Sequence, residues 1–139
     1  MGLERFVLAQ QNCYQTALEE IRSGLKRSHW MWFIFPQLKG LGRSTMSNYY
    51  GIDGMDEAVL YLGHPLLGAR LREICSALVL VEGRSSLEIF GSVDNAKLRS
   101  SMTLFAHATA ENRVFLDVLD KYFDGKYDQK TLRLLGGDL

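Results

Sequence analysis

Apolar residues recur mostly at steps of three and four along this 139-residue chain, and that spacing limits the fold more than any other feature. The first such stripe runs over residues 3–23, and Gly24 follows it as a helix stop. Only two prolines are present, and no segment alternates polar and apolar residues for long. The sequence therefore predicts an all-α fold.

The remaining periodic segments predict a compact single-domain bundle of about six to eight helices, irregular rather than up-and-down. Ser28, Ser85, Ser92 and Asp128 are predicted N-caps, and Ser85 has a glutamate three residues later, as in a capping box. The helix that Pro65 opens is expected to bury its apolar stripe. The other predicted segments are helices at 29–35, 56–62, 93–108 and 111–123, a brief helix that ends at Gly91, and an ordered loop at 39–51.

Composition fits one domain over residues 1–139, with 47% hydrophobic and 23% charged residues. Sixteen basic residues balance sixteen acidic ones, so a general affinity for nucleic acid or membranes is not expected. The longest apolar run, 30–35, is far shorter than the about 20 residues that span a bilayer. Because the first residues lack the apolar core of a signal peptide, we expect a cytoplasmic protein.

The cysteines and histidines do not have the spacing of metal ligands. Cys13 and Cys75 lie far apart in apolar helical stripes, and His29, His64 and His107 lack HExxH or CxxC company. The sequence predicts no metal site and no cofactor. His64 precedes a proline and is interpreted as a helix cap.

Residues 22–51 are strongly basic and aromatic within an otherwise neutral chain. Guanidinium groups pair with phosphate or carboxylate, and aromatic rings stack on flat ligands. This composition predicts an anion-binding pocket, but it also suits core aromatics with a solvated basic rim. The segment has no acidic residue, and its five cations are Arg22, Lys26, Arg27, Lys39 and Arg43.

In the pocket interpretation, Arg27 and Arg43 hold the anion and Trp30 and Trp32 form the walls. Ser44 lies in a small glycine-rich loop whose backbone N–H groups can also face an anion. This loop is not a P-loop, because it lacks the lysine and the preceding strand.

A second candidate group lies on the helix predicted after Gly91. Asp94, Lys97 and Ser101 are three and four residues apart and share one side of that helix, beside its apolar stripe. Two interpretations stay open: a first-turn salt bridge, or an acid/base pair next to a cavity. Ser100, like its neighbour Arg99, falls on another face and is expected to be exposed.

Several blocks of this sequence resemble the family called domain of unknown function 1810. They are His29-Trp-x-Trp followed by Phe-Pro-Gln37, Gly40-Leu-Gly-Arg-Ser44, and the long motif that begins with Gly91-x-x-Asp-x-x-Lys97. The resemblance spans nearly the whole chain. It implies a compact all-helical domain with no established activity.

Together these features predict an aromatic, basic pocket that binds a small anionic or nucleotide-like metabolite. If the protein hydrolyses that metabolite, Asp94, Lys97 and His29 are the predicted catalytic residues. His29 has an alternative interpretation as a packing residue. The competing hypothesis is a protein–protein interaction module or a homo-oligomeric helical domain without catalysis. The oligomeric state stays open.

Overall fold

The computed structural model describes residues 2–136, which form nine α-helices and no β-strand. Six of the helices have seven or more residues, so the all-α prediction is confirmed. A single isolated parallel bridge joins Leu38 to Ile52. The helices are α1 (Glu4–Gln10), α2 (Tyr14–Ser23), α3 (Met31–Ile34), α4 (Thr45–Tyr50), α5 (Gly54–Gly63), α6 (Leu67–Leu80), α7 (Ser86–His107), α8 (Arg113–Phe123) and α9 (Gln129–Leu134).

The three longest helices, α6, α7 and α8, form the centre of the fold. α8 packs on both α6 and α7, while α2 and α5 contact α6, and α9 contacts α7. The short α3 lies between α1 and α4. The predicted buried face of α6 is confirmed, because its four apolar residues are almost inaccessible to solvent: Leu71, Ile74, Cys75 and Leu78.

The first predicted helix, 3–23, is in fact two helices. The chain turns at Gln11–Cys13, and α1 then contacts α3 whereas α2 contacts α6. The cause is tertiary, since the buried Gln10 amide donates to the Phe33 carbonyl at 2.7 Å and to the Tyr61 hydroxyl at 3.1 Å. The end of α2 is as predicted, with Gly24 in the left-handed region at φ 79°.

Two predictions near the basic segment are wrong. The helix expected over 29–35 is only the single turn α3, and Ser28 does not cap it. The expected loop at 39–51 contains α4, whose N-cap is Ser44, because the Ser44 hydroxyl accepts from the Ser47 N–H at 3.0 Å.

Three other predicted caps, Ser85, Asp128 and His64, are formed by local hydrogen bonds, whereas Ser92 lies within α7, where only Gly91 has non-helical angles. Ser85 and Glu88 make both bonds of a capping box at the start of α7, and the Asp128 carboxylate accepts from the Thr131 N–H at the start of α9. His64 Nδ1 accepts from two backbone N–H groups ahead of α6. Gly91, at φ 81° and ψ 166°, breaks α7 into two helical segments where the sequence predicted a boundary.

The chain between α2 and α3 is held by one buried carboxylate. Glu20 accepts hydrogen bonds from the N–H groups of Arg27 and Ser28, from the Ser28 hydroxyl and from Trp30 Nε1, at 2.6–3.0 Å. Burial opposes the charge of Glu20, but these bonds outweigh burial and lower its pKa from 4.5 to about 2. Glu20 therefore fixes the backbone at residues 27 and 28 and the side chain of Trp30, within the basic segment.

Replacing Leu78 with Ala is expected to lower the free energy of unfolding by about 2–5 kcal/mol, because the cavity forms in the centre of the core. Leu80 is the matched control on the same helix, since 78% of it is exposed against 0% for Leu78. Leu80→Ala is expected to change stability by less than about 0.5 kcal/mol in urea unfolding. Equal losses for the two variants would show that the faces of α6 are misassigned.

Glu20→Gln is expected to destabilise the protein by about 2 kcal/mol or more at neutral pH, because one amide oxygen and an added N–H₂ group then face four donors. The low pKa of Glu20 stabilises the fold above pH about 4.5, and this stabilisation is lost as the pH falls towards about 2. The difference in melting temperature between wild type and Glu20→Gln is therefore expected to become smaller as the pH falls over that range. The exposed neighbour variant, Glu19→Gln, is expected to match wild type throughout. A constant gap down to pH 2 contradicts the assignment.

Candidate functional site

The second segment of α7 brings Asp94 and Lys97 next to a third charged residue, Lys26. Lys26 Nζ lies 3.0 Å from Asp94 Oδ2, whereas Lys97 Nζ lies 3.9 Å from Asp94 Oδ1. All three side chains are at least four-fifths buried. The helical spacing correctly placed Asp94 beside Lys97, but it missed Lys26, which approaches from a distant part of the chain. The sequence gives one indication of this contact: residues 22–51 contain no acidic residue, so an ion-pair partner for Lys26 has to come from another part of the chain.

The two lysines contact the two tryptophans. Lys97 Nζ is 5.1 Å from the ring centroid of Trp32, and Lys26 Nζ is 5.0 Å from that of Trp30. Trp30 is only 1% exposed and packs among Phe rings of the core, so it backs the charged group rather than forming an open wall. Trp32 is partly buried. Asp94, Lys97 and Trp32 thus lie together, as predicted from the sequence.

A cleft of about 450 Å³ opens beside Lys97, between α7, α9 and residues 37–42. Its size lies within the range of small-molecule sites. Lys97 and Gln37 also line a narrower gap next to Trp32 and Tyr50, so the cleft leads to an aromatic edge. The cleft is lined by four basic side chains and one acidic side chain: Lys97, Arg99, Lys130, Arg133 and Asp128.

Two of these charged groups are occupied by structural bonds. The Asp128 carboxylate binds the N-terminus of α9 and accepts from Ser100 Oγ at 3.1 Å. Arg99 donates to the backbone carbonyls of residues 126 and 127. Ser100 was expected to be exposed and is instead 7% exposed, because Asp128 and the loop before α9 cover it. Lys97, Lys130 and Arg133 remain the cations that face the cleft.

The other predicted site residues, including the predicted catalytic His29, lie elsewhere in the described part of the chain. Arg27, His29 and Arg43 are exposed and do not line the cleft. Ser44 caps α4. Ser101 is fully buried, and its hydroxyl has no hydrogen-bond partner within residues 2–136. The structure thus gathers only part of the predicted site.

A second cavity, of about 470 Å³, surrounds the buried Arg5. The guanidinium of Arg5 binds Glu57 at 2.9 Å and the carbonyls of Tyr49 and Gly51 at 2.8 Å each. Burial opposes the charge of Glu57, but the bonds from Arg5 and from the Asp53 N–H lower its pKa. These bonds tie α1 to α4 and α5, so Arg5 has a structural role. Because its guanidinium is already bonded, it is not available to bind a ligand in this cavity.

Two classes of site have no candidate within residues 2–136. No three His, Cys, Asp or Glu side chains gather closely enough there to hold a metal ion. None of the described helices is both long and apolar enough to cross a membrane.

Comparison with known proteins gives one structural relative and one family. The conserved hypothetical protein Rv1873 from Mycobacterium tuberculosis has a crystal structure that superposes with a TM-score of 0.94 at 53% sequence identity, covering 96% of this chain and 95% of that one. No curated protein matches the chain. The family described as "Protein of unknown function (DUF1810)" matches residues 1–135. The chain therefore belongs to the DUF1810 family, as its motifs indicated.

Proposed function

We propose that this protein binds a small anionic metabolite in the cleft between α7, α9 and residues 37–42. The observation that carries the proposal is the charge of the cleft lining, in which three cations, Lys97, Lys130 and Arg133, face the cleft together with one carboxylate. Asp128, that single carboxylate, is already bound by Thr131 and Ser100. An anion of two or more charges suits such a lining, because each cation contributes a charge-assisted hydrogen bond.

The aromatic edge of the cleft favours a ligand that also carries a flat ring. Trp32 lies beside the narrow gap that Lys97 and Gln37 share with the cleft. The gap itself, of about 10 Å³, is too small for a ring, so a ring would lie at its mouth with the anionic group towards Lys130 and Arg133 on α9. A phosphorylated, nucleotide-like metabolite combines both features.

The proposal stops at binding, because Asp94 lies behind Lys97 and does not line the cleft. Its carboxylate bonds Lys26 at 3.0 Å. A hydrolytic reaction would need that carboxylate to contact the ligand directly. The observed contacts favour a role for Asp94 in holding the lysines instead.

The test is calorimetric titration and thermal unfolding with inorganic phosphate, pyrophosphate, AMP and ADP. We expect pyrophosphate and ADP to raise the melting temperature more than inorganic phosphate does, since they carry more charge. At 100 times the dissociation constant, the gain in the free energy of unfolding is about 2.7 kcal/mol. The effect is expected to weaken with added salt.

The variant Lys130→Gln/Arg133→Gln is expected to lose most of this binding while remaining folded, because both residues are exposed on α9. The matched control is Arg22→Gln/Arg113→Gln, which removes two exposed cations that do not line the cleft. Equal binding by the two double variants, or no shift with any of the four probes, contradicts the proposal.

A further inference from the structure

We infer that Lys26 is a positioning residue for this anion site: it neutralises Asp94 and thereby leaves the ammonium group of Lys97 available to the ligand. The inference rests on the proposed function. It concerns a residue outside the cleft lining, which would act on the ligand only through Asp94 and Lys97.

The first step is the unequal sharing of Asp94 between two lysines. Lys26 is at hydrogen-bond distance from Asp94, at 3.0 Å, while Lys97 is at 3.9 Å, the limit of an ion pair. The Lys26 side chain is also the more buried, at 9% exposed against 19% for Lys97. Its ammonium group donates in addition to the Ser28 carbonyl at 2.5 Å. Lys26 is therefore the principal partner of Asp94.

The second step is the freedom that this sharing leaves to Lys97. Lys97 lines the cleft and lies over the Trp32 ring, and its bond to Asp94 is the longer of the two. When Lys97 turns towards an anion in the cleft, Asp94 keeps a close partner, so no buried carboxylate is left unpaired. Without Lys26, Asp94 would hold Lys97 as its one nearby cation.

The third step is the rigidity of Lys26 itself. Its N–H donates to the Ile89 carbonyl at 2.9 Å, which ties it to the first segment of α7. The next residues, Arg27 and Ser28, are bound by Glu20. The backbone of Lys26 and of the two residues after it is thus fixed by hydrogen bonds, whereas the Lys97 side chain is held by the longer contact to Asp94 and by the Trp32 face.

The experiment measures the affinity for pyrophosphate in three variants. We expect Lys26→Met to weaken binding by about tenfold or more, because Asp94 then competes with pyrophosphate for Lys97. The double variant Lys26→Met/Asp94→Asn is expected to return to within about threefold of wild type. Lys26→Arg is expected to retain the wild-type affinity.

Arg22→Met is the control for simple loss of charge, because Arg22 is an exposed cation of the same basic segment outside the cleft. It is expected to bind pyrophosphate as wild type does. A purely structural role for Lys26 also predicts rescue in the double variant, because Asp94→Asn removes the carboxylate that Lys26→Met leaves unpaired. Affinity is therefore measured well below the melting temperature of each variant, where a purely structural role predicts wild-type affinity in folded Lys26→Met. Wild-type affinity in folded Lys26→Met, or no rescue in the double variant, overturns the inference.

Asp94→Asn alone gives a second test if Lys26→Met does not fold. Removing the competing carboxylate is expected to leave the pyrophosphate affinity equal to wild type or higher, whereas weaker binding overturns the inference. If wild type binds none of the four phosphate probes, the proposed function fails, and Lys26 has no site to serve. If wild type binds pyrophosphate but the variants do not show the affinities expected above, the proposed function stands and only the role of Lys26 is overturned.

Discussion

The buried carboxylate of Glu20 is the interaction on which the arrangement of the site depends. Its four hydrogen bonds hold the chain between α2 and α3, a stretch that has no regular secondary structure of its own. Backbone N–H groups in such a segment need hydrogen-bond acceptors when they are buried. The Glu20 carboxylate accepts the bonds that backbone carbonyls would accept inside a helix. It also fixes Trp30, whose ring contacts Lys26. The position of Lys26 relative to Asp94 follows from this anchor.

Local sequence signals predicted the parts of the fold that local contacts determine. The capping box of Ser85 and Glu88, the Asp128 cap and the Gly24 stop each involve residues within four positions of one another. The burial of the apolar residues of α6 was predictable because it depends only on their helical spacing and on that face of the helix packing against the core. For the same reason the Asp94–Lys97 neighbourhood was visible, since a helix places residues three apart on one side.

Contacts between distant residues explain what the sequence did not reveal. Nothing near Gln10 indicates that its amide bonds Phe33 and Tyr61, yet these contacts accompany the turn that separates α1 from α2. Lys26 is one of five similar cations in its segment, and only the packed structure selects it for Asp94. Ser100 is buried because Asp128, far along the chain, covers it.

The neutral overall charge of the chain conceals the positive cleft. Two carboxylates are bound inside the structure and do not line the cleft: Glu20, by the chain before α3, and Glu57, by Arg5. Asp128 does line the cleft, but its carboxylate is bound by Thr131 and Ser100 at the start of α9. The cations on α7 and α9 then face the solvent with a local excess of positive charge. Net charge therefore argues against a uniformly basic surface, but it does not argue against a small anion-binding site, because the partition of charges between interior and cleft determines the local field.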